Sequence, residues 1–268
     1  MRRIVAAISV FSATAVVALA ATPAPAAAQT ITADLAKGDS IEELHPDSAY
    51  KLYVAALAID SNNYHALWRV SKADVDIAKQ ILQDNSYSNG VRDSVYEVAR
   101  EYAERAIRAD SMGAEGHYVL ALALGRLSRT KGGKDRVRYA RIIYDEASRA
   151  LQLDSTLDGA EHVLGAWHAE VKRLSGITKF FAKTFLGADF MDRASWDSAV
   201  VHLKRAIALK PGYVFHHLEL AEVYIDTHQY ADARTQLHAV DSLPVTDVLD
   251  PVYKERADSL LAEIKDKQ

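Results

Sequence analysis

Apolar positions recur every three or four residues along most of this 268-residue chain, the period of helices that bury one face, and the recurrence stops at four similar places. The fullest copy lies between Ala199 and Tyr224, where Ala206-Ile207-Ala208-Leu209 runs into Lys210-Pro211-Gly212 and a second amphipathic pattern follows. Proline cannot continue a helix and moves the residue before it out of the right-handed region, so the stop has a mechanism. Similar stops fall at Asp60-Ser61, Asp110-Ser111 and Asp154-Ser155, each followed within a few residues by a new helical pattern. The spacing predicts helices over Asp47–Ile59 (capped by Asp47 or Ser48), Val91–Ala109, Ala114–Leu127, Asp135–Leu153, Asp158–Leu174 and Tyr230–Val240, with a weak one at Ala33–Gly38. Gln83–Gly90 and Ser128–Lys134 read as polar connections, and Gly176–Asp192 interrupts the pattern. Asp250–Lys267 reads as a terminal helix presenting a polar face. A repeating helix-turn-helix unit predicts an all-α fold, an α-solenoid of about five helix pairs with insertions and a C-terminal cap.

The first residues stand outside this pattern. Arg2 and Arg3 precede an uncharged apolar run from Ile4 to Ala21, and Pro23 and Pro25 break it ahead of Ala26-Ala27-Ala28. This is the layout of a secretory signal peptide over 1–28, and it leaves 29–268 as the repeat domain of a secreted or periplasmic protein. A retained membrane anchor is the alternative reading of the same run. With Arg2 and Arg3 set aside, 30 basic and 36 acidic side chains give a formal charge of −6. No basic block follows the spacing of phosphates, which excludes nucleic acid as the expected partner. The chain has no cysteine, and so neither a disulfide nor a lipidated cysteine.

The repeated positions resemble the tetratricopeptide repeat. Its second helix shows Ala49, Tyr53, Ala56, Ser61; Ala99, Ala103, Ala106, Ser111; Ile143, Ala147, Ala150, Ser155; and Ala199, Leu203, Ala206, Pro211. The first helix carries an apolar residue before a small one at Val70-Ser71, Leu120-Ala121, Leu164-Gly165 and Leu220-Ala221. Two departures matter. The closing positions lie 50, 44 and 56 residues apart, against a repeat of about 34, and three of the four closing prolines are serine. In this irregularity the chain is similar to the regulator of microtubule dynamics family, through Ala66-Leu67-Trp68-Arg69-Val70, Gly159 to Trp167, Phe185-Leu186-Gly187 and Leu243-Pro244-Val245-Thr246. The resemblance implies a helical-repeat fold and protein binding. An expected signal peptide separates this chain from any cytosolic filament, so the family's name is not carried over as a function.

The resemblance also implies a concave surface lined by fixed positions of each first helix. On this sequence those positions are His65, Trp68, Lys72 and Asp76; Glu115, Tyr118 and Arg126; His162 and Glu170; and Phe215, Leu218, Glu222 and Asp226. Aromatic residues among mixed charges suit a peptide groove, because tryptophan and tyrosine dominate binding hot spots. The competing reading of Trp68 and Tyr118 is packing against an inserted segment. The expected function is an exported scaffold that takes a protein or peptide of the cell envelope in this groove. The alternative is an enzyme or accessory subunit using groove carboxylates such as Glu170 and Glu222, which a glycosidase would hold roughly 5 to 9.5 Å apart.

No nucleophile motif and no phosphate-cradling glycine loop accompanies these residues, so no enzyme activity and no cofactor is expected. His162 and His168 sit on different sides of their helix, adjacent His216 and His217 diverge, and no metal site is expected. Phe180, Phe181, Phe185 and Phe190, with Lys179 and Lys183, raise the question of a membrane-surface helix. The basic face is small, and the expected role of these phenylalanines is to fill the gap between repeats, with no membrane contact beyond the signal segment.

Overall fold

The computed structural model describes residues 25–81 and 86–268, and these form twelve α-helices without a strand. The expected signal segment lies outside the described residues up to residue 24, and α1 (Pro25–Asp39) runs through its expected end at residue 28. Helix α1 packs on α2 (Pro46–Ile59), α3 (Tyr64–Lys79) on α4 (Ser86–Ala109), and α5 (Ala114–Leu127) on α6 (Gly133–Leu153). Next, α7 (Asp158–Arg173) skips the inserted α8 (Gly176–Leu186) and a 3-10 turn at Asp189–Arg193 to pair with α9 (Trp196–Leu209). Then α10 (Val214–Asp226) pairs with α11 (Tyr230–Ser242), and α12 (Asp250–Glu263) lies against both. The repeated small positions are where helices approach most closely. Ala49, Ala56, Ala99, Ala103, Ala106, Ala147, Ala150, Ala199 and Ala206 are fully buried, with Tyr53 and Leu203 as the bulky members of the same rows.

The missing prolines have a physical replacement. Where the sequence reads Asp-Ser, the aspartate side chain accepts a hydrogen bond from the backbone two residues on: Asn62 N–H to Asp60 at 3.1 Å, Met112 to Asp110 at 2.9 Å and Thr156 to Asp154 at 2.8 Å. Proline sets the fourth stop by moving Lys210 out of the helical region, to φ −134° and ψ 75°. An aspartate turn reaches the same geometry through its side chain. In all four stops the capping residue donates its N–H to the same alanine, at Ala56, Ala106, Ala150 and Ala206.

Glycine is required where rings cross helix starts. A Cβ on Gly113 would lie 2.1 Å from the Tyr64 ring, and one on Gly159 would lie 2.5 Å from the Tyr118 ring. Each tyrosine thus keys one repeat into the next. A polar link runs beside these contacts. His117 joins the Ser111 carbonyl at 3.1 Å to Glu146 at 2.5 Å, and His217 joins the Pro211 carbonyl at 3.0 Å to Gln236 at 2.9 Å.

The long spacings are extended helices as much as loops. Ser86–Gly90, expected as part of a polar loop, is the first turn of the 24-residue α4, while residues 82–85 lie outside the described residues. The local preference of serine, asparagine and glycine is weak, and packing of Arg92 and Tyr96 further along the same helix overrides it. Helix α6 likewise starts at Gly133, inside the expected turn, and α2 starts at Pro46 with no side-chain cap from Asp47 or Ser48. The ends of the array also meet. Val248 N–H donates to the Glu43 carbonyl at 2.9 Å, and the Lys210 ammonium pairs with the Glu43 carboxylate.

Gly159→Ala is expected to destabilise the chain by about 1–3 kcal/mol, because the Tyr118 ring must move. Gly125→Ala, in α5 with open space around it, should stabilise by about 0.5–1 kcal/mol. Urea titration of both variants checks this, and equal signs would remove the keying role. A second prediction concerns Asp74, which burial pushes up to about 7 and whose Oδ2 has no partner. Because the folded chain then holds a proton that the unfolded chain releases near pH 4, stability should fall as pH rises from about 4 to 7. Asp74→Asn should flatten that fall, as read from melting temperatures across the range.

Candidate binding cleft

A single continuous cleft of about 1490 Å³ runs along the first helices of the pairs. Residues one helical turn apart line it: Leu122 and Arg126 on α5; His162, Ala166 and Glu170 on α7; and Phe215, Leu218 and Glu222 on α10. Val252, Tyr253 and Arg256 of α12 close one side. The other side comes from the added turns of α4 and α6 and from the inserted α8.

Six of the thirteen expected groove residues therefore face one space: Arg126, His162, Glu170, Phe215, Leu218 and Glu222. The other seven lie elsewhere. Glu115 accepts a hydrogen bond from the Tyr64 hydroxyl at 2.8 Å. His65 is exposed at the start of α3. Trp68 is half-buried between two clusters of the core, with the Arg69 guanidinium 4.1 Å from its ring centre. Lys72 and Asp76 pair at 3.1 Å and extend to Glu42 at 3.3 Å and Lys79 at 2.7 Å. Burial alone would raise the Asp76 pKa, but Lys72 and Lys79 outweigh it and hold the carboxyl well below its ordinary value. Tyr118 is the ring over Gly159, which is the packing reading rather than the groove reading. Asp226 is exposed and pairs with Arg173 at 2.7 Å.

Within the cleft, an aromatic wall meets a carboxylate cluster. Phe215 stacks on Tyr253 with ring centres 4.5 Å apart and lies 4.7 Å from the His162 ring. Glu170 and Glu222 pair with Arg173 at 2.8 Å and Arg256 at 3.3 Å. Glu219 lies between them. Burial and then the charge of Glu222 raise its pKa, against the pull of Arg173 3.5 Å away.

Several cleft residues had no signal in the sequence. Glu219 directly follows Leu218, yet a single-helix face does not show that Arg173 of α7 reaches it. His216 is buried and spans His162 at 3.0 Å and Asp158 at 2.9 Å, joining histidines on different helices that local spacing keeps apart. Burial and then His216 hold His162 well below the ordinary histidine range. The insertion also differs from expectation. Only Phe190 fills a gap, 6.3 Å from Trp167 and under Arg141. Phe180, Phe181 and Phe185 are 62%, 53% and 69% exposed, and Phe181 and Phe185 form an outer lip of the cleft. Among the described residues no helix is long and apolar enough to cross a membrane.

Arg173→Ala removes the common partner of Glu170, Glu219 and Asp226 and should destabilise the chain by about 1–3 kcal/mol at neutral pH. The loss should shrink as pH falls and the Glu219 carboxyl, held above its ordinary value, takes up a proton. A pH-independent loss in urea titrations would refute that electrostatic role.

The comparisons with known proteins agree with this architecture. The chain is 24% identical over 209 residues to regulator of microtubule dynamics protein 1 of Bos taurus, covering 78% of this chain and 64% of that protein. It thus spans a little under two thirds of the length of this relative. Among solved structures, a thermophilic tetratricopeptide-repeat protein of Thermus thermophilus superposes with a TM-score of 0.60 at 18% identity, over 87% of this chain and 99% of that one. Pseudomonas aeruginosa pilF superposes with a TM-score of 0.51 at 13% identity, over 90% and 88% of the two chains. The family model of regulator of microtubule dynamics proteins 1–3 matches residues 32–265, and the chain belongs to that family.

Proposed function

We propose that this protein is an exported helical-repeat scaffold whose cleft captures a segment of another protein of the cell envelope. The observation that carries the reading is the cleft itself. At about 1490 Å³ it exceeds the roughly 300–1,000 Å³ of ordinary small-molecule sites. It runs across successive repeats, and its apolar wall lies between charged ends, which suits an extended or helical peptide. Export rests on the basic start and apolar run before residue 28. The alternative, a glycan-processing enzyme or accessory subunit, needs Glu170 and Glu222 as catalytic carboxylates. Arginine pairing of both favours binding over catalysis.

A photo-crosslinking residue at Leu122, inside the cleft, is expected to trap an envelope protein, whereas one at the exposed Lys134, outside it, should not. The adduct should weaken in Phe215→Ala. Equal adducts from both positions would overturn the cleft reading. Export is checked separately by N-terminal sequencing of the mature chain, with a start near Gln29 expected and a start at Met1 counting against cleavage.

A further inference from the structure

We propose that the end of the cleft built by α4, α5 and α6 is an oxyanion site, centred on Arg92 and completed by Arg126, Arg129 and Arg136, that takes a carboxylate- or phosphate-sized group. The central observation is an unsatisfied cation. Arg92 is only 6% exposed and lines the cleft, and its Nη1 is buried without a hydrogen-bond partner. Its Nη2 donates to Asn89 at 2.7 Å. A guanidinium is always charged, and a buried donor left unpaired carries a desolvation cost that an incoming acceptor removes.

The surroundings share one sign. Among the described residues no carboxylate from α3 to α6 lines the cleft, and most of the nearby ones are engaged elsewhere. Asp76 pairs with Lys79 at 2.7 Å, Glu97 with Arg100 at 2.9 Å and Lys131 at 3.1 Å, and Asp93 accepts from the Thr130 hydroxyl through one oxygen while its other is buried without a partner. Arg126, Arg129 and Arg136 have no carboxylate partner among the described residues, and Arg126 rests instead against the face of Phe215, 5.7 Å from the ring centre. Tyr96 sits among three of the four arginines. Burial raises its pKa, while Arg126, Arg92 and Arg129 all act on its phenol in the opposite direction. Forked guanidinium donors converging on one space match the geometry of an oxyanion.

This end exists because the repeats are irregular. Asn89, Arg92 and Tyr96 belong to the N-terminal half of the lengthened α4, and Arg136 to the added first turns of α6. The site is independent of any peptide, because a small ion suffices to fill it.

The test is a thermal-shift titration of the full chain with inorganic phosphate and, separately, acetate, at ionic strength held constant with chloride. A saturable rise in melting temperature is expected. Arg92→Gln should weaken the apparent affinity about tenfold or more, while Arg108→Gln, exposed and outside the cleft, should not. Because Arg92 is buried and its loss affects folding, the exposed Arg129→Gln serves as a second variant and should weaken the affinity several-fold. A response to phosphate alone supports a phosphate-bearing ligand, and a response to acetate supports a carboxylate. No saturable response to either ion, or equal responses in the unmodified, Arg92→Gln and Arg129→Gln proteins, would overturn the proposal. Such a failure leaves the cross-linking result standing, so the two readings fail separately.

Discussion

Glu43 holds together two parts of the chain that local repeat packing never brings into contact. Its carbonyl receives the Val248 amide and its carboxylate receives Lys210, so the turn after α1 is fixed to both the end of α9 and the segment leading into α12. Helix pairs by themselves place only neighbours, because each unit buries its apolar face on the next. The added link works together with the packing of α12 on α10 and α11. With the 246–250 segment braced by the side chains of Asp247 and Asp250, α12 presents Tyr253 to Phe215 and Arg256 to Glu222. The helix read from sequence as a polar cap thus contributes a wall of the binding cleft.

The same geometry explains why the expected groove is divided. Lys72 and Lys79 are neutralised by Asp76 and Glu42, and Tyr118 is committed to the glycine at the start of α7. Open space is left where the repeats depart from their regular length, against α4, α6 and α8. A regular array of short pairs would leave this side flat. Here the extra turns raise it into a lip, with phenylalanines on the outer edge and arginines at one end.

Much of the scaffold was legible because it depends on local rules. The alanine rows are read from a 3.6-residue period, and the stops from proline and aspartate chemistry that acts within a few residues. What stayed hidden depends on partners far along the chain. Asn89 and Gly90 look like a loop until the packing of Arg92 and Tyr96 is known. Trp68 and Tyr118 have the composition of hot spots, and only the positions of Arg69 and Gly159 show what their rings touch. The carboxylates of α7 and α10 meet through Arg173, and His162 meets His216, across distances that no helical period encodes. Six of the thirteen expected groove residues line the cleft; Trp68 and Tyr118 pack on the chain itself, and His65 and Asp226 on the same first helices stay exposed.

The contact between Val248 and Glu43 has a further consequence for how the molecule assembles. Most other packing joins helices within one pair or between neighbouring pairs, so order spreads from unit to unit with little loop entropy at each step. Joining Glu43 to Val248 instead closes a loop of almost the whole described chain, which is entropically worthwhile only after the intervening repeats are in place. Loop-closure entropy therefore favours its forming after the helix pairs between its two ends. Because α12 also packs on α10 and α11, the link adds a long-range tie to a cleft wall that neighbouring helices already hold in place.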